Sequence, residues 1–294
     1  MNELVQNAID ALALGGLYAL IALGVAVIYT VMGMLNFAQG EFIMLPAYAL
    51  YLLAGLPFGV ALAGALLTGV GIAVVAERVA FRPVRGADPA AQLVTSLAVA
   101  TILQNLVMVS VSGRSGSVAT PPFISESTTV AGVAIPNLEF VTLGLAAAVL
   151  GGLGWLLYRT RTGLEIRAAA ENFEMARLLG VGADRLVSIT FAISGALAAI
   201  AGVLLVMQTG QVSPTMGLTP ILIGFVAVEI GGLGRVGGAV AGGVTLGVLT
   251  SLLGAYLPSD LAPYRDAFVF SLPIMLLVLR PQGLLSSETA TARV

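Results

Sequence analysis

The sequence predicts an all-α fold, a polytopic bundle of transmembrane helices. Its 294 residues are 58% hydrophobic and only 10% charged, with a mean hydropathy of +1.02, whereas an ordinary soluble domain is about 25% charged. A water-soluble fold of this length could not bury that much apolar surface. Long uncharged stretches recur along the chain, as crossings of a roughly 30 Å hydrocarbon core require. We therefore expect a single membrane domain over 1–294, embedded in a lipid bilayer.

The uncharged stretches give the spans in chain order. The first helix is 11–31, because no charge lies between Asp10 and Glu41 and about 20 helical residues cross the core. The stretch 42–76 is too long for one crossing, and Pro57 between two glycines predicts a break, which leaves 42–54 as a short segment. The remaining predicted spans are 92–111, 140–158, 186–207, 218–230, 236–257 and 267–279. We expect eight to nine crossings, with 42–54 and 218–230 short for a full crossing.

The arginines predict the orientation, because cytoplasmic loops carry an excess of basic residues. Eleven of the 13 arginines lie on one side of the predicted helices, leaving only Arg114 and Arg265 on the other. The crowded side holds the loop 159–185 and the carboxyl-terminal Arg280 and Arg293. We therefore expect the loop 159–185 to be cytoplasmic, the loop 112–139 to be external and, with nine crossings, the amino terminus to be outside. The first apolar stretch has no basic residues before it and is interpreted as a retained span.

Missing residue types exclude several chemistries. The chain has no Cys and no His, which excludes thiolate nucleophiles, histidine triads and the usual zinc and haem ligand sets. It also has no basic segment interleaved with aromatics, so nucleic acid is not an expected partner. The chain has no lysine and therefore no phosphate-binding loop of the G-x-x-x-x-G-K-[ST] type. We expect no metal, no cofactor and no enzymatic activity, and any ATP hydrolysis must take place in a separate subunit.

The glycines near position 240 carry two possible interpretations. Gly232–Gly237 matches the G-x-G-x-x-G dinucleotide-binding pattern, but that pattern requires a preceding strand and an acidic residue about 20 positions on. Small residues four apart instead let transmembrane helices approach closely. We interpret Gly238 with Gly242, and Gly243 with Gly247, as helix-packing glycines.

Polar residues within apolar sequence are the candidates for a translocation pathway, because such groups in a membrane protein usually face a protein interior or a water cavity. The candidates are Asn36, Gln39, Glu41, Gln104, Asn105 and Glu229. An alternative is open for four of these positions. Glu41 could cap the short second segment at its amino end, the amides of Gln104 and Asn105 could bond neighbouring helices, and Glu229 could emerge at the cytoplasmic face.

The loop 159–185 is the most charged part of the chain, and its periodicity predicts a short amphipathic helix that ends at Gly180. Such a helix could dock on a partner or lie on the membrane interface. The candidate residues for coupling to a partner are Glu165, Glu174, Ala176, Arg177 and Gly180.

Three stretches resemble the permeases of branched-chain amino acid ABC importers, specifically the smaller permease of that system. The first runs from Gly16–Gly24 to Asn36–Glu41, with Gln39 where the family commonly has His. The second is Glu77–Arg85. In the third, Glu174, Ala176 and Gly180 resemble the E-A-A-x-x-x-G core of the loop through which importer permeases meet their ATPases, although the I-x-L-P ending of that pattern is missing.

The resemblance implies an ABC importer permease fold with two related halves in the inner membrane of the cell. It also implies the partners: a second permease subunit, two cytoplasmic ATPases and an external substrate-binding protein. Alternatives remain open at this point. The same machine could carry urea, short amides or another amino acid, or the chain could be an ion-coupled secondary transporter with Glu41 or Glu229 in its ion site. An intramembrane enzyme would lack a nucleophile and base.

Overall fold

The computed structural model of the chain describes residues 2–111, 113–130, 133–232 and 234–279. Arg280 and Arg293, which contribute to the predicted orientation, lie outside these ranges. The first half of the fold contains α1 (Asn2–Met32), α2 (Gln39–Leu52), α3 (Phe58–Ala76) with a π-helical turn (Glu77–Phe81), α4 (Pro89–Ser110), β1 (Gly116–Ser117), α5 (Pro122–Ser125), β2 (Ser127–Val130) and β3 (Val133–Pro136). The second half contains α6 (Asn137–Arg159), α7 (Arg161–Glu171), α8 (Phe173–Leu178), α9 (Ala183–Thr209), β4 (Gln211–Val212), α10 (Leu218–Gly231), α11 (Val236–Tyr256), a 3-10 turn (Ala262–Tyr264) and α12 (Arg265–Leu279).

The two ends of the bundle differ in structure. At one end, called the hairpin end here, β2 and β3 pair antiparallel and β1 pairs with β4. These short strands fall mainly in the predicted loop 112–139 and are the exception to an all-helical fold. At the other end, called the loop end, lie α7 and α8. Helices α1 and α6 run from the hairpin end to the loop end, while α9 and α11 return.

Within the described residues, six helices are long and apolar enough to cross a membrane: α1, α3 with its π-helical turn, α4, α6, α9 and α11. Helices α2 and α10 each have 14 residues and α12 has 15. The expected count of eight to nine crossings is therefore not confirmed. The physical reason is length, since about 20 helical residues are needed to span the core.

The core of the bundle is built on α1 and α9. In the most apolar window of α1, 89% of the residues are buried in the fold, against 17% for α4. The two helices are antiparallel neighbours, with Ser194 of α9 beside Gly24 of α1. Because α3, α4 and α6 expose most of their apolar surface, they form the periphery, where lipid or another chain replaces water as the neighbour.

The break predicted in the stretch 42–76 is present in the structure. Helix α2 ends at Leu52, and Pro57 stands immediately before α3 with a φ of −52°, an angle that suits proline just outside a helix. The short segments predicted at 42–54 and 218–230 correspond to α2 and α10. These two helices share a pattern, because each follows a long helix, α1 or α9, after a short non-helical segment that folds back into the bundle.

Candidate functional site

Helices α2 and α10 begin beside each other inside the bundle. A Cβ atom placed on Gly40 would lie 2.7 Å from the carbonyl oxygen of Gly217, and one on Gly217 would meet the backbone of Gly40 even more closely. The two backbones are thus in direct contact, and neither position has room for a side chain. From this contact, called the helix junction here, α2 runs towards the hairpin end and α10 towards the loop end.

Three of the predicted pathway residues meet at the helix junction. Asn36, Gln39 and Glu41 are buried, with exposed fractions of 2%, 1% and 3%. The Oγ atom of Ser194 lies 2.9 Å from Oε1 of Gln39 and 2.7 Å from the carbonyl oxygen of Gly24. These contacts tie the start of α2 to the middle of both central helices.

The polar atoms of this cluster are not all satisfied. Within the described residues, Nδ2 of Asn36, Nε2 of Gln39 and Oε2 of Glu41 have no hydrogen-bond partner. Unpaired buried polar groups are rare and mark a place where water, an ion or a ligand is missing or where function requires the strain. The cluster therefore has the donors and acceptors to contact a polar solute.

Glu41 also has the geometry expected of a helix-end charge. It lies in the first turn of α2, whose amino-terminal cap, Ala38, makes no side-chain hydrogen bond. A negative charge at this place is favoured by the helix dipole. The residue is buried, however, so its carboxylate is not at the surface of the fold.

The other three pathway candidates lie apart from this cluster. Gln104 is partly buried and donates from Nε2 to the carbonyl oxygen of Pro214, at 3.2 Å, and this joins α4 to the segment before α10. Asn105 is exposed and donates to Thr101 within its own helix, at 2.8 Å. Glu229 is half-buried in the last turn of α10. The structure therefore does not bring these three side chains together with Asn36, Gln39 and Glu41.

The charged loop folds differently from the single helix that its periodicity predicts. The helix breaks at Asn172, whose φ of −157° is not helical and whose Oδ1 accepts a hydrogen bond from the Met175 amide at 2.9 Å. Asn172 therefore ends α7 and caps α8. The expectation of one helix ending at Gly180 is wrong in this respect, because an asparagine that caps a new helix interrupts the pattern.

The candidate coupling residues are distributed over both helices. Ala176 is buried and anchors α8 to the fold, whereas Glu174 and Arg177 are exposed and Glu165 on α7 is half-buried. Gly180 has a φ of +93°, and no atom lies within 4 Å of the place where its Cβ would be. Around it, Leu178 and Leu179 are 77% and 79% exposed. This apolar surface beside exposed charges is called the α8 surface below.

An ion-pair network joins α3 to α9 near the α8 surface. Arg85 contacts the Glu77 carboxylate and donates to Asp184 at 2.6 Å, and Arg82 also pairs with Asp184. Glu77 is only 1% exposed and accepts a hydrogen bond from Ser188 at 2.7 Å. Sequence reasoning missed this network, because its two halves are about a hundred positions apart and each half is an ordinary charged loop.

The predicted packing glycines lie at backbone contacts. Cβ atoms on Gly238 and Gly242 would meet the carbonyl oxygens of Gly231 and Ala227 in α10, while Gly243 and Gly247 lie against the backbone of α1 at Ala19 and Gly15. Helix α11 thus packs closely on both neighbours. The dinucleotide motif lacks its structural context, since helix α10 and not a strand precedes Gly232.

The long apolar helices and the buried polar junction are those of a polytopic membrane protein. Comparison with known proteins then gives the family. Residues 7–279 match the model of the family described as the permease component of branched-chain amino acid transport systems. The chain belongs to this family of permeases, which are multi-pass proteins of the inner membrane and are not themselves enzymes.

Individual relatives agree with the family match. The permease protein BraD of the high-affinity branched-chain amino acid transport system of Pseudomonas aeruginosa is 34% identical, and the match covers 95% of each chain. LivH of the corresponding system of Escherichia coli K12 is 33% identical over 95% of this chain and 94% of LivH. Among solved structures, a chain of PsaBC from Streptococcus pneumoniae in complex with Fab is similar in fold, with a TM-score of 0.54, 16% identity and coverage of 93% of this chain and 91% of that one.

Proposed function

We propose that this chain is a translocation subunit of an ATP-binding-cassette importer that carries branched-chain or related amino acids. The main support for this function is family membership over nearly the whole chain, with relatives that are named as branched-chain amino acid permeases. The chain would pair with a second permease subunit, receive substrate from an external binding protein and be driven by two cytoplasmic ATPase subunits. Family membership supports this function over urea or amide transport and over ion-coupled transport.

The helix junction is the proposed part of the pathway inside this chain. Three observations support it: the buried cluster of Asn36, Gln39 and Glu41, their unsatisfied polar atoms, and the backbone contact between two short helices. Irregular backbone within a membrane is tolerated only where protein or a water-filled cavity surrounds it. Short helices that meet at their ends inside the bundle can separate without breaking a full-length span, which suits a gate.

The α8 surface is the proposed contact with the ATPase. Its exposed leucines beside Glu174 and Arg177 provide apolar area with charges at the edge, as in the core and rim of a protein interface. This assignment places the loop end in the cytoplasm and the hairpin end outside, in agreement with the distribution of arginines.

The experiment that tests the function is uptake by the whole complex. The tagged chain is purified with its native partners, reconstituted in proteoliposomes and supplied with the binding protein, and ATP-driven uptake of L-leucine and of urea is measured. We expect leucine uptake that requires ATP and the binding protein. Uptake of urea without leucine would refute the proposed cargo, and leucine uptake driven by an ion gradient without ATP would refute the proposed mechanism.

The orientation has its own test, made possible because the chain contains no cysteine. A single Asn172→Cys substitution, or Ser125→Cys at the hairpin end as the matched external position, is labelled with an impermeant maleimide in cells whose outer membrane has been permeabilised. We expect labelling at position 125 only. Efficient labelling at position 172 would show that the orientation is the reverse of the proposed one.

A further inference from the structure

Two cavities at the hairpin end share part of their walls. The larger, called the polar cavity, has a volume of about 670 Å³, and the smaller, called the apolar cavity, about 390 Å³. Leu14, Tyr18 and Gln208 line both of them. Small-molecule sites typically occupy roughly 300–1,000 Å³, so each cavity has a size suited to a small solute.

The polar cavity contains charges of both signs. Asp10 of α1 and Glu139 of α6 contribute carboxyl groups to its lining, and Arg265, the first residue of α12, contributes a guanidinium. The neutral lining groups include Asn7, Thr250 and Ser251. The cavity is thus lined by acidic, basic and neutral hydrogen-bonding groups.

The charged groups are partly engaged by neighbours, and Glu139 interacts directly with Asp10. Oδ1 of Asp10 accepts from Nε2 of Gln6 at 2.9 Å, and this holds the carboxylate in place. Oε2 of Glu139 is buried and has no hydrogen-bond partner within the described residues. Nε of Arg265 lies 3.7 Å from Asp266, a distance too long for a good hydrogen bond, so the planar donors of the guanidinium remain able to bind a carboxylate.

The apolar cavity supplies a different environment next to these charges. Its walls include Leu17, Ile21, Leu205, Val212 and Ile223. Burying a branched aliphatic side chain there would be favoured by roughly 25 cal/mol for each Å² removed from water. The pair of cavities therefore has a charged part and an aliphatic part, with Tyr18 at their boundary.

We infer that the polar cavity is an outer site for a free zwitterionic amino acid, with Asp10 and Glu139 receiving its ammonium group, Arg265 its carboxylate, and the apolar cavity its side chain. This inference rests on the proposed function and adds a place in the fold where that cargo binds. Asp10 and Glu139 interact directly, so the two carboxylates repel when both are ionised, and an ammonium group bound beside the pair relieves that repulsion. An uncharged cargo such as urea could hydrogen-bond to these groups but would neutralise none of their charges.

The test measures binding of radiolabelled L-leucine to the purified permease complex without the binding protein. We expect saturable binding that weakens at least tenfold in Asp10→Asn and in Arg265→Gln and that largely returns in Arg265→Lys. The matched control is Glu126→Gln, an exposed acid near the same end of the fold that does not line the polar cavity, and it should bind as the parent does. Competition should require both charges, so other zwitterionic amino acids should displace leucine, whereas isoamylamine and 4-methylpentanoate should not.

Two outcomes would overturn the inference: no saturable binding in the parent complex, or unchanged binding in Asp10→Asn and Arg265→Gln. Thermal unfolding of each variant shows whether a loss of binding reflects a loss of folding, and Arg265→Lys decides the case if Arg265→Gln is unstable. The uptake assay separates this failure from failure of the proposed function. ATP-driven leucine uptake without saturable binding would refute the outer site alone, whereas absence of leucine uptake would refute the proposed function.

Discussion

Replacing Gly180 by valine should uncouple the chain from its ATPase, and Gly86 provides a matched control. Gly180 has a φ of +93° and Gly86 a φ of +91°, and neither has an atom within 4 Å of a Cβ placed on it. Both are exposed at the loop end of the bundle. The two substitutions therefore introduce the same kind of backbone strain and no steric clash, and they differ in whether the residue belongs to the α8 surface.

The loss of unfolding free energy expected in the two valine variants follows from the backbone angles of Gly180 and Gly86. A left-handed conformation costs an L-residue roughly 1–2 kcal/mol, and a β-branched residue there is a clear outlier. Both valine variants should thus lose about the same unfolding free energy, which corresponds to a modest fall in the melting temperature of the complex. Relaxation of this strain at Gly180 should turn the exposed Leu178 and Leu179 away from their present positions, whereas at Gly86 it should leave the α8 surface intact.

The assay is ATPase activity of the reconstituted complex with and without loaded binding protein, together with leucine uptake. We expect Gly180→Val to lose most of the stimulation and of the uptake, and Gly86→Val to retain both. Gly180→Asn should be intermediate, because asparagine adopts positive φ more readily than valine. Retained stimulation in a Gly180→Val, Glu174→Ala double variant would refute the coupling role. Equal losses in Gly180→Val and Gly86→Val would show that strain alone causes the effect.

Three further predictions concern the interior of the fold. Arg85→Ala leaves the buried Glu77 carboxylate without its ion-pair partner and should destabilise the complex by about 3 kcal/mol, whereas Arg82→Ala, at an exposed pair, should cost about 1 kcal/mol or less. Equal melting temperatures for these two variants would contradict the burial argument. Gly40→Ala places a Cβ 2.7 Å from a backbone oxygen and should cost about 1–3 kcal/mol as an overpacked contact, while Gly59→Ala, in open space, should be near neutral by thermal unfolding. Glu41→Gln should reduce leucine uptake several-fold at normal expression; unchanged uptake would leave Glu41 only its helix-end role.

The long helices were predictable because hydrophobicity and length are local properties. The break between α2 and α3 was also predictable, since Pro57 acts on its own neighbours. Asn172 shows the limit of this reasoning. The alanines before it continue a helical pattern, and although asparagine favours helix caps, only the structure shows that this side chain caps α8.

The candidate site was predictable only in part, because the contacts that create it join distant positions. Asn36, Gln39 and Glu41 were identifiable as polar residues within apolar sequence, but Ser194 carried no comparable signal. Gly40 and Gly217 are likewise ordinary glycines in sequence, and only the fold shows that each excludes a side chain from the other. The same holds for the polar cavity, whose charged residues come from three separate helices and would otherwise be interpreted as solvated helix ends.

Helix α9 provides a rigid connection between the α8 surface and the helix junction. Asp184, in its first turn, pairs with Arg82 and Arg85, and Ser194 contacts Gln39. The two contacts are ten helical positions apart, about 15 Å at 1.5 Å per residue. Only Gly180 and its immediate neighbours join α8 to the start of α9, so displacement of α8 by a closing ATPase would move α9 before it moved the peripheral helices. The start of α2 is bound to α9 and packed against α10 without an intervening side chain. A movement of α9 would therefore first displace the backbone contact between Gly40 and Gly217, which must separate if the junction is the gate.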